Sequence, residues 1–328
     1  MNILGIDVSK AKLDCVLICG SRPEKELEKR VANSEDGFSK LIDWCTRKAQ
    51  CDPSQIHAVM EATGPYHEAL ALALFEAGCQ ISVVNPAKIK HFAQSLGRKA
   101  KNDKQDASTI AQYGLKATLR LWQPDPQEYQ HLRALLYRLE AVDSDTQREK
   151  NRLEKALAAQ SPAAVAQSLE RSIHFLKEEK ARLEKQIKEH INNHPHLRKD
   201  KELLESIPGI GPVLSSWMSL LLRNGNRFNA APQAAAFVGL TPTEHQSGSS
   251  VFKRPHLSKA GPSIYRAKLY MPAVVAIRCN PDVRDLYQRL LAKGKTKMAA
   301  LGAAMRKLVH ICFGVIKNQS PYQPQLAI

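Results

Sequence analysis

Four acidic residues in the first third of the chain have the types and spacing for phosphate chemistry. Asp7 closes the apolar run N-I-L-G-I-D, Glu61 closes A-V-M-E, and Asp103 and Asp106 stand three apart in K-N-D-K-Q-D-A. Residues three apart share a helix face, so an amphipathic helix starting there presents both aspartates together. Two strand ends and one helix face can meet at a point. Four carboxylates at one point need a compensating cation, and an all-oxygen donor set completed by substrate phosphates suits Mg²⁺, as one or two ions. The pattern implies metal-dependent chemistry on a phosphodiester.

The elements that must position these acids alternate in type. Asn2 to Asp7 reads as a strand, Ser9 to Lys12 as a turn, and Leu13 to Cys19 as the hairpin partner. Lys25 to Asn33 is a polar third strand, and a helix from Ser34 or Glu35 carries Phe38, Leu41, Ile42 and Cys45 on one stripe. Ile56 to Met60 is a fourth strand, Tyr66 to Ala77 a helix stopped by Gly78, and Gln80 to Val84 a fifth strand. A three-strand meander followed by alternating helices and strands matches a ribonuclease-H-like α/β fold, in which the first and fourth strand ends are neighbours. Asp7 is thus expected beside Glu61, within a domain spanning residues 1–125. Asp14, Glu35 and Asp43 read as surface acids.

Three further segments carry charge or turn chemistry. Lys88, Lys90, Arg98, Lys99, Lys101 and Lys104 form a basic stretch leading into the Asp103/Asp106 helix. It reads as a solvated loop or as a phosphate-contacting segment, and its position favours the second. In S-I-P-G-I-G-P, Gly209 and Gly211 resemble the turn of a helix-hairpin-helix module, where backbone N–H groups approach a phosphate at a helix N-terminus; ordinary turns share the pattern. A polar loop places Ser247 in S-G-S-S beside Lys253 and Arg254, with Lys259 following. On composition it is a flexible turn before it is a nucleophile flanked by phosphate-binding cations.

Between the two ends, residues 126–195 turn long, charged and helical. Leu132, Leu136, Leu139, Leu153 and Leu157, then Leu169, Ile173, Leu176, Leu183 and Ile187, keep a heptad-like spacing. Ser161-Pro162 interrupts it as an N-cap with proline at the first helical position. The expectation is a coiled-coil or helical-hairpin arm that makes the protein a homo-oligomer, dimer or tetramer. Residues 196–328 are expected to form a mainly α domain.

Composition sets limits on partners. Lys plus Arg total 48 against 32 Asp plus Glu, a formal charge of +16 with a sequence pI near 9.6, which favours a nucleic-acid partner. No run of eighteen apolar residues appears and the chain opens directly into a strand pattern, so no membrane partner and a cytoplasmic location are expected. The seven cysteines form no C-x-x-C pair and read as reduced structural thiols.

Taken together the motifs resemble those of the insertion-sequence-110 family of transposases, which includes the Piv-type DNA invertases. The matching segments are G-I-D-V-S-K at 5–10, E-A-T-G-P-Y at 61–66, N-P-A-K at 85–88, F-A-Q-S at 92–95 and K-N-D-K-Q-D-A at 101–107. They continue with I-P-G-I-G at 207–211, F-V-G-L-T-P at 237–242, S-G-S-S at 247–250, S-K-A-G at 258–261 and Y-M-P-A at 270–273. Asn102 stands where the family pattern has threonine, and both aspartates are kept.

The resemblance implies a RuvC-like domain with Asp7, Glu61, Asp103 and Asp106 as its acidic tetrad, a coiled-coil middle and a C-terminal transposase domain. It implies Ser247 as a catalytic serine forming a phosphoserine link. It also implies two nucleic-acid partners, DNA and a structured noncoding guide RNA. A RuvC-like Holliday-junction resolvase would use the same carboxylates with water as nucleophile and would need neither the far domain nor Ser247. A sugar kinase or other actin-like ATPase begins similarly but needs a D-x-G-T element that the sequence lacks.

Overall fold

The computed structural model describes all residues except 1, 63, 98–102, 224–227, 248–250 and 325–328; for 103–104, 244–247 and 251–254 it describes the backbone alone. The chain divides into two compact units, Met1–Asp125 and Pro126–Ile328.

In the first unit, β1 (Asn2–Val8) pairs antiparallel with β2 (Lys12–Ile18), which pairs antiparallel with β3 (Glu26–Ala32). Helix α1 (Glu35–Ala49) follows, its first turn capped by the Ser34 side chain accepting from Gly37 N. Then β4 (Ile56–Glu61) runs parallel to β1, α2 (Glu68–Glu76) crosses over, and β5 (Gln80–Val84) runs parallel to β4. The sheet order is β3-β2-β1-β4-β5, the order of a ribonuclease-H-like fold. Helices α3 (Pro86–Ser95) and α4 (Asp103–Lys116) complete the unit.

Strand alternation divides the core in two. One face carries Leu4, Ile6, Leu13, Leu17, Ala58 and Met60 against Phe38, Leu41, Leu70 and Leu74 of α1 and α2. The other carries Ile3, Val16, Ile18 and Val59 against Ala107, Ile110 and Ala111 of α4. Asp7 and Glu61 continue that second face by the same alternation, so the sheet itself aims them at the α4 side.

The second unit starts with α5 (Gln127–Ala158) and α6 (Ala163–Asn193). They form an antiparallel hairpin: Lys180 Nζ lies 2.7 Å from Asp143, and His190 Nε2 lies 2.9 Å from the Glu128 carbonyl. Tyr129, Leu132, Leu136, Ile187 and Ile191 at its base are continuous with the core of α7 (Pro195–Glu205), α8 (Pro212–Leu222), α9 (Ala231–Phe237), α10 (Ser263–Cys279), α11 (Pro281–Ala292) and α12 (Lys297–Asn318). Strands β6 (Pro242–Ser247) and β7 (Val251–Leu257) make a two-stranded ribbon.

Three local expectations are corrected. The basic stretch starts as a helix, because Asn85 caps Ala87 N and Pro86 takes the first helical position of α3. The second long helix is capped by Pro162, with no side-chain bond, and not by Ser161. The serine-bearing loop is largely the β6–β7 ribbon. Helix α12, by length and composition apolar enough to cross a membrane, lies at the centre of the second core, with Leu308, Val309, Cys312 and Ile316 at 1 % exposure or less.

Candidate functional site

The carboxylate end of the sheet is built by register. β1 and β4 are parallel with Ile6 beside Met60, so Asp7 and Glu61, one step further on each strand, are side by side on one face. Both are half-buried. Helix α4 lies across this face. A Cβ on Gly5 would stand 2.4 Å from Ala107 O and 2.4 Å from Ala111 N, and one on Gly114 would stand 2.8 Å from Ile3 Cγ2. The helix therefore runs opposite to β1 and directs its N-terminal turn to the Asp7 end. Asp106 precedes Ala107 in that turn and is half-buried. Asp103 is the first residue of α4, and its side chain lies outside the described residues.

Ala107 and Ala111 bury little apolar area, so close approach and polar bonds hold α4 in place. Ser108 Oγ and Gln112 Nε2 donate to Glu26 Oε1 of β3 at 3.0 and 2.8 Å. On the far side Phe92 of α3 meets Tyr113 edge-on, centroids 5.3 Å apart, and Lys116 Nζ stands 5.8 Å from the Phe92 ring centre. The helix is thus fixed at both flanks.

Asp14 is a correction to the reading of it as a surface acid. It pairs directly with Asp7 across β1 and β2, is 7 % exposed, and accepts from Arg30 Nε at 2.5 Å with Lys12 Nζ at 3.4 Å. The signal was present in the sequence: Lys12, Asp14 and Val16 alternate on one face of a strand whose partner carries Asp7. Burial pushes the Cys15 thiol up, and the Asp14 and Asp7 carboxylates beside it push it further.

The other expected residues distribute as follows. Lys88 and Lys90 are exposed on α3, either side of buried Ile89. Arg98, Lys99 and Lys101 lie outside the described residues. In the second unit Ser247 ends β6, opposite Val251, and Lys253 is opposite His245 on β7 next to Arg254; their side chains lie outside the described residues. Lys259 is exposed with φ 53° and donates its backbone N–H to Gly239 O at 3.1 Å. Gly209 has φ +99° and a Cβ there would meet Ala276 Cβ at 2.8 Å, so packing against α10 requires a glycine. At the N-cap of α8, Gly211 faces open space.

His57 and Ser82 resemble a nucleophile–base pair at 2.8 Å. Ser82 Oγ donates to the Arg120 carbonyl at 2.9 Å, so it accepts from His57, and burial lowers the His57 pKa. The pair is a brace under the segment after α4, where Trp122 N also bonds Ile81 O at 2.7 Å.

A metal fits the donor set: Asp7, Glu61 and Asp106 supply oxygen alone, on one face at one end of the sheet. Among the described residues no three His, Cys, Asp or Glu side chains already close on a point, and Asp103 stands outside that set.

Comparison with known proteins gives consistent matches. The family model for an IS110 DEDD transposase matches residues 4–162, and that described as "Transposase IS116/IS110/IS902 family" matches residues 201–288. The pilin gene-inverting protein of Moraxella bovis is 33% identical over 324 residues, 98% of each chain. The transposase for insertion sequence element IS1111A of Coxiella burnetii is 23% identical over 352 residues, 98% of this chain and 92% of that protein. A solved structure of Thermus thermophilus RuvC with a Holliday junction substrate covers 37% of this chain and 99% of its own at 15% identity, with a TM-score of 0.27, too low to add to what the strand order establishes.

Proposed function

Since the chain belongs to the IS110 family of transposases, whose members are DNA recombination enzymes, we propose that it cuts and rejoins DNA as a Mg²⁺-dependent recombinase acting through a phosphoserine intermediate. The observation that carries the metal half is the placement of Asp7 beside Glu61 under the N-terminal turn of α4. Asp7, Glu61, Asp103 and Asp106 would hold the Mg²⁺, which would supply positive charge at the phosphate undergoing displacement.

The residues of the chain do the rest. The two strand-end carboxylates are fixed by the sheet, and α4 presents its aspartates as a rigid unit, so the acids need little reorganisation. Ser247 Oγ gives up its proton and attacks phosphorus, breaking one P–O bond of the DNA strand and releasing that strand end as a free hydroxyl. The phosphodiester now runs to the protein, and attack by a DNA hydroxyl reverses the step and frees the serine, so resealing needs no ATP. Lys253 and Arg254, near Ser247 in sequence, bind the phosphate. Lys88, Lys90, Arg98, Lys99, Lys101 and Lys259, with the Gly209–Gly211 turn, contact backbone phosphates. A structured noncoding RNA guides target choice, the protein is a dimer or tetramer through the α5–α6 hairpin, and the +16 charge serves both nucleic acids. The Moraxella relative is a gene-inverting protein and the Coxiella relative a transposase; this chain performs one of those two outcomes.

Covalent protein–DNA adducts, trapped by denaturation and resolved on a gel, test the serine step. Wild type should give adducts and Ser247→Ala none; adducts persisting in Ser247→Ala would sink the assignment. Strand cleavage without joining in Ser247→Ala would favour the resolvase reading, with water as nucleophile.

A further inference from the structure

Lys12 and Arg30 flank the carboxylate site without being part of the proposed metal set. Asp14 is directly across from Asp7, and Arg30 is directly across from Asp14, so all three lie on the face that carries the acids. Lys12, two residues before Asp14 on the same strand, shares that face. The Glu26 end of β3 is held by Ser108 and Gln112 of α4. Arg30, two pleats further along β3, has a side chain 61% exposed.

A nearly buried carboxylate is costly to keep charged unless it is paired. Asp14 is paired twice, and both of its cations have partly exposed side chains: that of Lys12 is 38% exposed. The arrangement is a buried anchor that fixes two cations at the rim of the site. A guanidinium oriented through Nε has lost rotamer freedom before any ligand arrives, which favours phosphate binding. Asp7 and Arg30 are two strand spacings apart, about 10 Å at roughly 4.8 Å each, or about three base steps at a rise of 3.4 Å.

We propose that Lys12 and Arg30, rooted on Asp14, form a clamp for the backbone phosphates of the DNA strand flanking the one positioned at Asp7 and Glu61. The clamp rests on the recombinase reading above. It binds phosphodiester without reading bases, so its loss weakens all sequences alike and lowers the salt dependence of binding.

The test uses the full chain and a fluorescent mixed-sequence DNA duplex, with Ca²⁺ in place of Mg²⁺ so that the carboxylates can hold a phosphate without cleavage, titrated across a salt series. Arg30→Gln should lower the slope of log affinity against log salt by about 0.9 and Lys12→Gln/Arg30→Gln by about 1.8, one increment per phosphate contact. Arg30→Lys should keep the slope. Arg47→Gln, exposed on α1 behind the opposite face of the sheet, should leave it unchanged. Slopes equal to wild type in Arg30→Gln and in the double variant would overturn the clamp and leave the Asp14 pairs as fold stabilisers only. Absence of covalent protein–DNA adducts from wild type in the assay above, with the guide RNA present, would overturn the recombinase reading itself.

Discussion

Replacing Gly5 with alanine puts a methyl group where the backbone of α4 already is. The new Cβ would stand 2.4 Å from Ala107 O, 2.4 Å from Ala111 N and 2.7 Å from Ala111 Cα, against an ordinary contact of 3.4 Å or more, so the helix must lift by about 1 Å. All three atoms are main chain, so no side chain can rotate away. Overpacking of this kind costs about 1–3 kcal/mol, and the upper half of that range is expected because α4 is also tied to Glu26. The same lift moves Asp103 and Asp106 relative to Asp7 and Glu61. A misplacement of about 1 Å at a reacting centre can cost roughly 100-fold in rate. Urea denaturation monitored by circular dichroism reads the first effect, and Mg²⁺-dependent strand cleavage reads the second. A Gly5→Ala protein with wild-type stability and wild-type cleavage would refute the seating of α4 on β1, and with it the geometry of the acid site.

Three other outcomes follow from the packing. Gly314 lies inside α12 with open space where a Cβ would go, so Gly314→Ala should stabilise the protein by about 0.5–1 kcal/mol in the same denaturation assay. Tyr322 places its hydroxyl 2.6 Å from Asp282 Oδ2 and 3.1 Å from Asn280 Oδ1; Tyr322→Phe should cost about 1.5–2 kcal/mol, the lower part of the range for a hydrogen bond to a charged acceptor, in a half-buried setting. Burial lowers the pKa values of His57, His190 and His310 below 6.5. The unfolded chain therefore takes up protons that the folded chain resists, and stability should fall as pH drops below about 6.5. Thermal melts between pH 8 and 5 should show this decline, and His190→Gln should make it shallower; an equal slope in the variant would contradict the burial of His190.

The parts of the fold set by apolar periodicity were readable directly. Short apolar runs in N-I-L-G-I-D-V and K-L-D-C-V-L-I, buried on both faces, mark the strands of the first hairpin, and the meander followed by crossovers leads to the β3-β2-β1-β4-β5 order. The neighbourhood of Asp7 and Glu61 follows from that topology. What local pattern hides is pairing between strands. Asp14 looks like a surface acid because its neighbours in sequence are charged at Lys12 and apolar elsewhere; its burial comes from Asp7 on one side and Arg30 on the other. The β6–β7 ribbon is hidden for a different reason. β6 reads P-T-E-H-Q-S without an apolar face, the apolar residues of β7 (Val251, Phe252 and Leu257) do not alternate, and the register shifts between Thr243 and His245. Helix α3 has a start signal in Asn85-Pro86, masked by the positive charge of the segment that follows. Gly5 shows the converse: a glycine in a strand interior signals close approach by another backbone, and only the structure identifies that backbone as α4.

Binding of Mn²⁺ as a paramagnetic stand-in for Mg²⁺, followed by electron paramagnetic resonance on the full chain, tests the central claim without needing a DNA substrate. Wild type should bind one or two ions, and Asp7→Asn and Glu61→Gln should each weaken that binding by at least 10-fold, in line with loss of a charged ligand at about 1.4 kcal/mol per decade. Undiminished Mn²⁺ binding in both variants would contradict a metal site at the ends of β1 and β4.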